Sequence, residues 1–170
     1  TRQVRQATLR HCDDAALQAA IDQALKQGRH LFVPAGRYRL ARGLRIATPR
    51  GMVMAGADAV RTILDISEGE GACISLVKGE DATLRQLTMV GHSGFAERDQ
   101  CGLLRTLGSS YFWGFGAKGC NAVTISHTPR VLIEDCHGRR MATECFVSMS
   151  SSRGPAEQPH PTHSRSPIYR

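Results

Sequence analysis

Apolar residues near the start of the chain recur at the spacing of an α-helix. In the stretch CDDAALQAAIDQALKQG they fall every three to four positions, at Leu17, Ala20, Ile21, Ala24 and Leu25. Asp13 or Asp14 is a suitable N-cap, and Gly28 is a typical residue just beyond a helix C-terminus. The pattern predicts a helix over residues 14–27 whose apolar stripe covers another part of the fold.

After the helix, the chain changes to short apolar runs at strand spacing. The first stretch, LFVPAGRYRL, places an apolar run at residues 31–33 before Pro34 and Gly36, and a second run after them. Pro34 cannot donate a ladder hydrogen bond and Gly36 lets the backbone bend, so the stretch predicts a strand, a sharp corner and another strand. Further short strands follow in LRIA, GMVMAG, TILDIS, ACISLV, ATLRQLTMVG, AVTISH, VLIEDC and ECFVSM.

Two of these segments share an uneven apolar spacing. Ala82, Leu84, Leu87 and Met89 are spaced two, three and two residues apart, and VLIEDC repeats the first two of these spacings. This indicates a two-strand unit with a bend, repeated along the chain. Val53 and Leu84 are separated by 31 residues, and Leu84 and Leu132 by 48. The longer separation predicts one coil plus an insertion.

Other fold classes fit the pattern less well. No second helical stripe follows residue 28, which argues against alternating helices and strands. A β-sandwich predicts two-residue hairpin turns such as Asn-Gly, and the sequence contains none. Parallel β-coils need corners instead. A formal G-x-G-x-x-G begins at Gly114, but a strand-like segment follows it where a dinucleotide site needs a helix, so no nucleotide cofactor is predicted.

Composition narrows the class of partner. Apolar residues make up 41% of the chain, aromatic residues only 5%, and the formal net charge is +7. A basic protein favours anionic partners, and the scattered basic residues argue against a nucleic-acid arm. No apolar stretch is long enough for a membrane span. Of the six cysteines, several occupy strand positions, which favours buried thiols over disulfides; Cys101 with Cys120 is the best disulfide candidate.

DDAALQAAID, LFVPAGRYRL, LRI, GMVMAGAD and RTILDI together resemble the N-terminal portion of the pectate-lyase-like superfamily. The resemblance implies an all-β fold, a right-handed parallel β-helix with an N-terminal capping α-helix. Residues 1–170 would form a single domain, the N-terminal part of a longer one. Residues 149–167 are predicted as a loop or disordered segment.

The resemblance also implies a function. Members include polysaccharide lyases, glycoside hydrolases, uronate epimerases, phage tailspikes and surface proteins. It therefore implies a secreted or periplasmic enzyme acting on a polysaccharide, acidic or neutral, as a lyase or a glycoside hydrolase, with the basic charge of the chain favouring an acidic one. The alternative is a non-catalytic carbohydrate-binding or structural β-helix such as a tailspike or adhesin. The oligomeric state is left open, as is the choice of substrate, and the paired-Asp polygalacturonase and Asp-Pro-His epimerase motifs are missing.

The segment IEDCHGRRMATE carries the first set of candidate site residues. If residues 131 and 133 point inward, the charged residues after them lie on or beside the outer face. By resemblance to the family's lyases, Asp135, Arg139 and Arg140 are candidate catalytic residues and His137 a candidate substrate-binding residue. Glu134 and Asp135 are candidate Ca²⁺ ligands. Solvated surface charge is the alternative interpretation of each residue.

A second candidate is an aromatic loop in SSYFWGFGAKG. Tyr111, Trp113 and Phe115 concentrate aromatic rings beside glycines, a platform on which sugar rings stack, or else a loop that packs its own aromatics. We predict that residues 92–119 are an insertion between coils that carries this loop. In EQPHPTH, Glu157, His160 and His163 also have the chemistry of metal ligands, but the prolines favour a plain loop.

Overall fold

The computed structural model describes residues 11–92, 121–141, 145–149 and 168–169. They form one α-helix and short β-strands. The elements are α1 (Asp14–Gln27), β1 (Leu31–Val33), β2 (Gly36–Arg39), β3 (Arg42–Ala47), β4 (Val53–Gly56), β5 (Thr62–Asp65), β6 (Glu70–Val77), β7 (Ala82–Arg85), β8 (Thr88–Val90), β9 (Val123–Ser126), β10 (Val131–Glu134), β11 (His137–Arg139), β12 (Phe146–Met149) and β13 (Ile168–Tyr169).

The strands form three parallel sheets, and each sheet takes every third strand. Sheet A has the order β1-β4-β7-β10-β13, sheet B β2-β5-β8-β11 and sheet C β3-β6-β9-β12. Every recorded strand pairing is parallel. One strand from each sheet makes one coil, so the fold is an all-β parallel solenoid with a single helix in the described part. The predicted parallel coil is confirmed, but the repeating unit has three strands where the sequence pattern indicated two.

The register between coils also corrects the sequence alignment. Met54 pairs with Leu84, and Leu84 pairs with Ile133. The two separations read from the sequence, Val53 to Leu84 and Leu84 to Leu132, therefore each join residues one position away from a true pair. Since side chains alternate between the two faces of a strand, a one-residue shift would turn an inward residue outward.

The core consists of inward side chains that stack from coil to coil. Met54, Leu84 and Ile133 form one such row in sheet A, and each is at most 2% exposed. Leu64 and Met89 form another in sheet B, and both are fully buried. Each coil thus covers the apolar face of the next, which is how a solenoid builds a core from thin layers.

The corner predicted in LFVPAGRYRL lies where the sequence placed it. β1 ends at Val33 and β2 begins at Gly36. The Tyr38 hydroxyl donates to the Pro34 carbonyl oxygen at 3.0 Å, and the Gly36 N–H donates to the Arg61 carbonyl at 2.8 Å. These two bonds give partners to a backbone carbonyl and a backbone N–H group at the corner.

The helix covers the first coil, and its bounds match the prediction. Ile21 is fully buried and belongs to the core, while Leu17 and Leu25 are partly buried beside it. The part of the fold that its apolar stripe covers is β3 more than β1. At its C-terminus, Gly28 adopts the left-handed conformation, with φ 62°, and its N–H donates to the Leu25 carbonyl at 3.2 Å.

Side chains from the helix region close the open edge of the first coil. The Gln18 amide donates to the Arg45 carbonyl at 2.8 Å and accepts from the Arg45 N–H at 2.8 Å, as a neighbouring peptide group would. Asp13 is the N-cap residue, but its carboxylate accepts from the Arg39 N–H at 2.9 Å and makes no helix-capping bond. The unpaired groups of an edge strand are a template for association with other chains, and these two side chains occupy part of that template.

Four cysteines lie in the described residues, and all are free thiols. Cys73 is fully buried, Cys136 and Cys145 are half-buried and Cys12 is exposed. Burial raises the pKa of Cys136 to about 11, and hydrogen bonds from backbone groups only partly offset it. The predicted Cys101–Cys120 disulfide lies outside the described residues. Within those residues, no helix has the length and apolar character that crossing a membrane requires.

Candidate functional site

The outer face of sheet B carries a run of charged side chains that we call the basic face. It comprises Arg37, Arg39, Asp65, His137 and Arg139. Strand pairing places these residues in two outward rows, 37–63–88–137 and 39–65–90–139. All four basic side chains are exposed. Successive residues in a row are about 4.8 Å apart, so the face runs along the axis of the solenoid.

The loop between β4 and β5 forms a wall beside this face. The Thr88 hydroxyl donates to the Ala59 carbonyl at 2.5 Å, and Thr88 is only 2% exposed although it lies in an outward row. Val60 lies in the same loop and is 74% exposed. The loop thus covers the middle of one row and leaves the row of Arg39 and Arg139 as the open one.

Asp65 is the acidic residue on the basic face, and its carboxylate is already engaged. Oδ2 accepts from Arg37 Nη2 at 2.6 Å and from Arg37 Nε at 2.9 Å, while Oδ1 accepts from the Ser67 N–H at 3.0 Å. The Asp65 side chain is 10% exposed and that of Arg37 54%. Asp65 therefore orients Arg37 across two coils, and both of its oxygens are occupied.

Burial and hydrogen bonding have opposite effects on the pKa of Asp65. Burial alone would raise the pKa, because it penalises the charged form. Hydrogen bonds from Ser67, and then the bond and charge of Arg37, outweigh burial and hold the pKa below its ordinary value. The carboxylate is therefore ionised at neutral pH and stabilises the fold only while it is ionised.

We expect this carboxylate to make stability depend on pH. A lowered folded-state pKa stabilises the protein above the ordinary aspartate pKa of about 3.9, and the contribution is lost as pH falls through the folded value. Asp65→Asn should destabilise the protein at pH 7 by about 1 to 2 kcal/mol, and the difference from wild type should shrink from about pH 5 downward.

Urea denaturation across this pH range measures the effect. Asp135→Asn is the control, because Asp135 is exposed, takes part in none of the salt bridges among the described residues, and has a left-handed backbone that asparagine tolerates. A gap between wild type and Asp65→Asn that stays constant with pH would contradict the assignment.

The residues predicted from IEDCHGRRMATE do not form one cluster. His137 and Arg139 lie on the basic face, two positions apart on β11. Asp135 precedes β11 and Arg140 follows it, both in the left-handed conformation, with φ 49° and 55°. Glu134 ends β10 and lies half-buried in sheet A. The structure therefore brings His137 and Arg139 together and places the other three at corners or on the neighbouring sheet; the roles of all five stay predictions.

The candidate calcium ligands do not supply a complete site. Ca²⁺ takes six to eight oxygen ligands, and the carboxylates of Glu134 and Asp135 offer four at most. In the ranges 11–92, 121–141, 145–149 and 168–169, no group of three or more His, Cys, Asp or Glu residues could hold a metal ion. Calcium at this corner would need oxygens from a bound polymer. The β-elimination proposed for the basic face requires no metal ion.

The other candidates lie outside the described residues. These are Tyr111, Trp113 and Phe115 of the aromatic loop and Glu157, His160 and His163. The connection that carries the aromatic loop joins β8 of sheet B to β9 of sheet C. The insertion predicted at residues 92–119 falls, apart from residue 92, outside the described residues, so it stays a prediction.

Another exposed arginine is neutralised by its neighbours. Arg130 donates to Glu80 Oε2 at 2.6 Å and to Asp81 Oδ2 at 2.8 Å. The Arg130 hydrogen bond and charge lower the pKa of Asp81 despite an opposing effect of desolvation. This cluster links the third and fourth coils at the corner between sheets C and A. It contributes no free positive charge to a binding surface.

Sequence reasoning did not find Arg37, Arg39 and Asp65. The signal that would have found them is the equivalence of Tyr38 and Leu64, the inward residues of GRYR and TILD. Aligning these two strands on their inward residues places Arg39 beside Asp65. The two-strand unit inferred from apolar spacing concealed that alignment, since it compared only the later segments.

Comparison with known proteins adds little. No protein-family model matches the chain. No curated protein matches it either. Among solved structures, the chain is similar to a "putative glycosyl hydrolase" from Parabacteroides merdae at 14% identity. That match covers 94% of this chain and 89% of the other, with a TM-score of 0.43. A likeness at this level carries no information about the reaction or the substrate.

Proposed function

We propose that the basic face binds a linear acidic polysaccharide and that the protein is a carbohydrate-active enzyme. The observation that carries this proposal is the stacking of Arg37, Arg39, His137 and Arg139 on one outer sheet, exposed and aligned with the solenoid axis. A guanidinium group binds a carboxylate through two parallel hydrogen bonds, so exposed arginines on this face suit the acidic groups of a polymer.

The row of Arg39 and Arg139 sets the line along which the polymer would lie. Arg39 and Arg139 lie at the two ends of the row, three coil steps apart, on the order of 14 Å. Between them, Val90 is half-buried and Asp65 is neutralised by Arg37. A polymer lying along this row meets a basic group at each end, and the wall at Ala59 limits its position on one side.

The reaction that suits this face best is β-elimination at a uronate. Arg139 would bind the sugar carboxylate and thereby make the C–H group on the carbon next to that carboxylate more acidic. His137, on the same strand, would take the proton from that carbon. The electrons of the broken C–H bond form a C=C bond to the next ring carbon. The glycosidic C–O bond at that carbon breaks, and the departing oxygen takes a proton from water. Asp135 and Arg140 would contact flanking sugars.

Hydrolysis has less support from the described residues. A glycoside hydrolase commonly uses a pair of carboxyl groups on either side of the bond it cleaves. On the described part of the basic face the carboxylate available is that of Asp65, and both of its oxygens accept hydrogen bonds from Arg37 or Ser67. The same observation favours the second candidate function, a non-catalytic protein that binds the polymer.

The finer description of the fold is part of the same proposal. Parallel strands joined by crossover connections are almost always connected in the right-handed sense, so we propose a right-handed β-helix of the pectate-lyase-like kind. Secretion or a periplasmic location follows from a polymeric substrate outside the cytoplasm. If Ca²⁺ took part, Glu134 and Asp135 would supply carboxylate oxygens to it and it would neutralise the charge of a uronate. Tyr111, Trp113 and Phe115 would stack on sugar rings.

We expect Arg39→Gln and Arg139→Gln each to weaken binding of polygalacturonate or alginate about tenfold, equivalent to about 1.4 kcal/mol. Arg45→Gln is the matched control, because Arg45 is exposed on sheet C, away from the basic face. Binding is measured at one fixed salt concentration, since salt screens such contacts.

A product assay with the same polymers separates the two functions. Unsaturated uronate products support elimination, and saturating binding without products supports the non-catalytic alternative. Dextran, which carries no charge, should not bind. Equal binding by wild type and both basic-face variants would refute the proposed binding surface.

A further inference from the structure

A basic pocket lies at the end of the molecule that the helix covers, apart from sheet B. It has a volume of about 320 Å³. Its walls come from the end of α1, the segment that joins α1 to β1 and the corner between β3 and β4. The lining residues are Ala24, Leu25, Lys26, Gly28, Arg29, His30, Thr48, Arg50, Gly51 and Met52. We call this cavity the cap pocket.

The charge of the cap pocket is positive and uncompensated by its own walls. Lys26, Arg29 and Arg50 line it, and none of its lining residues is acidic. None of these three residues takes part in a salt bridge recorded among the described residues. The neighbouring acid, Glu80, pairs through its backbone with Arg50, but its carboxylate binds Arg130 at 2.6 Å.

The helix end does not cancel this charge. A helix C-terminus carries about half a negative charge, against three full positive charges around the pocket. Two of the last four carbonyls of the helix are also engaged, because Leu25 accepts from Gly28 at 3.2 Å and Ala24 accepts from Arg29 at 2.9 Å. The three basic side chains therefore outweigh the helix end.

His30 adds a directed donor. Its Nδ1 accepts a hydrogen bond from the Val53 N–H at 3.2 Å, so the ring proton lies on Nε2. His30 is exposed and lines the pocket, so the Nε2–H group is available to a ligand. Leu25 and Met52 supply an apolar part of the wall, and a side chain added at Gly28 or Gly51 would meet no atom within 4 Å, so the space beside them is open.

We propose that the cap pocket binds a small organic acid, such as a single sugar acid, through its carboxylate. The volume lies at the lower end of the range for small-molecule sites, which fits one small ligand and not a polymer. Arg29 and Arg50 hold the carboxylate, the His30 Nε2–H group donates to it or to a hydroxyl, and the apolar wall contacts the carbon skeleton. The site is independent of the polymer-binding function proposed for sheet B.

Titration of the full chain with glucuronate, followed by amide NMR, tests the proposal. We expect saturable shifts of the Gly28 and Gly51 amide signals, and at least fivefold weaker binding for Arg29→Gln and for Arg50→Gln. Arg45→Gln, on sheet C outside the pocket, is the matched control and should bind like wild type. Because the pocket lacks a counter-ion in its own walls, neither pocket variant should lower the melting temperature.

Further titrations decide the ligand class and the location. Glucose should leave the Gly28 and Gly51 signals in place, and inorganic sulfate should bind more weakly than glucuronate. Shifts confined to the Arg39 and Arg139 amides would move the site to sheet B and refute the cap pocket. Equal binding of glucose, equally tight binding of sulfate, or unchanged binding in both pocket variants would each overturn the proposal.

Discussion

Replacing Ile21 with aspartate is expected to destabilise the protein by on the order of 5 kcal/mol, comparable with the whole stability of a small domain. Ile21 is fully buried in the core beneath the capping helix. The substitution removes a large apolar side chain and places a carboxylate within the hydrophobic core. The helix would then detach from the first coil or the first coil would unfold with it.

Urea denaturation followed by circular dichroism measures this loss. Ala19→Asp is the control, because Ala19 lies two residues away on the same helix and is exposed. It introduces the same charge and costs more in helix propensity than Ile21→Asp does, yet its effect should stay below about 1 kcal/mol because the site is exposed. Similar losses in the two variants would show that the burial of Ile21 contributes little to stability.

Gly56→Ala should give the second large loss, about 3 kcal/mol. A Cβ at Gly56 would lie 2.1 Å from the Gln86 carbonyl oxygen and 2.8 Å from the Thr62 Cβ. Gln86 belongs to the next coil, so its backbone can move only if the sheet A and sheet B strands of two coils separate. The expected change is a lower urea midpoint with loss of protection from hydrogen exchange in β7 and β8.

Gly51→Asp is the matched control for this glycine. Gly51 has φ 68°, and a Cβ there would meet no atom within 4 Å. The equivalent position in the next coil is Asp81, whose φ is 54°. The substitution copies that residue one coil earlier, so it should change stability by less than about 1 kcal/mol. A loss as large as that of Gly56→Ala would show that backbone conformation, and not close approach, limits these corners.

The parts of the fold that the sequence predicted are those with local signals. The helix bounds follow from the apolar stripe and from Gly28, which ends the helix in the left-handed conformation. The corner after Val33 follows from Pro34 and Gly36. Each of these features depends on residues within a few positions of one another, so a single stretch of sequence is enough to show it.

The register between coils has no such local signal. The corners between sheets A and B at Gln86 and Asp135 use left-handed residues that are not glycine, with φ 57° and 49°. Neither residue marks a turn as plainly as Pro34 and Gly36 do. The residue that is inward in one coil becomes evident only beside its partner in the next, as Met54 does beside Leu84.

The sequence predicted only part of the candidate site, because the register between coils has no local signal. His137 and Arg139 follow a recognisable apolar pair, Val131 and Ile133. Both are exposed, as predicted from the buried positions of that pair. Arg39, its partner at the other end of the open row, comes from a strand about a hundred positions earlier in the chain. Only the stacking of coils places the two residues on one face, so a reading of adjacent residues does not reveal the pair.

The corner between sheets B and C differs in length from coil to coil, while the strands on both sides of it stay paired with those of the neighbouring coils. The connection spans residues 40–41 in the first coil, 66–69 in the second, 91–122 in the third and 140–145 in the fourth. Closing a flexible loop costs only about 0.6 kcal/mol for each doubling of its length. Evolution can therefore lengthen this corner at little cost in free energy, and each added residue is placed beside the basic face.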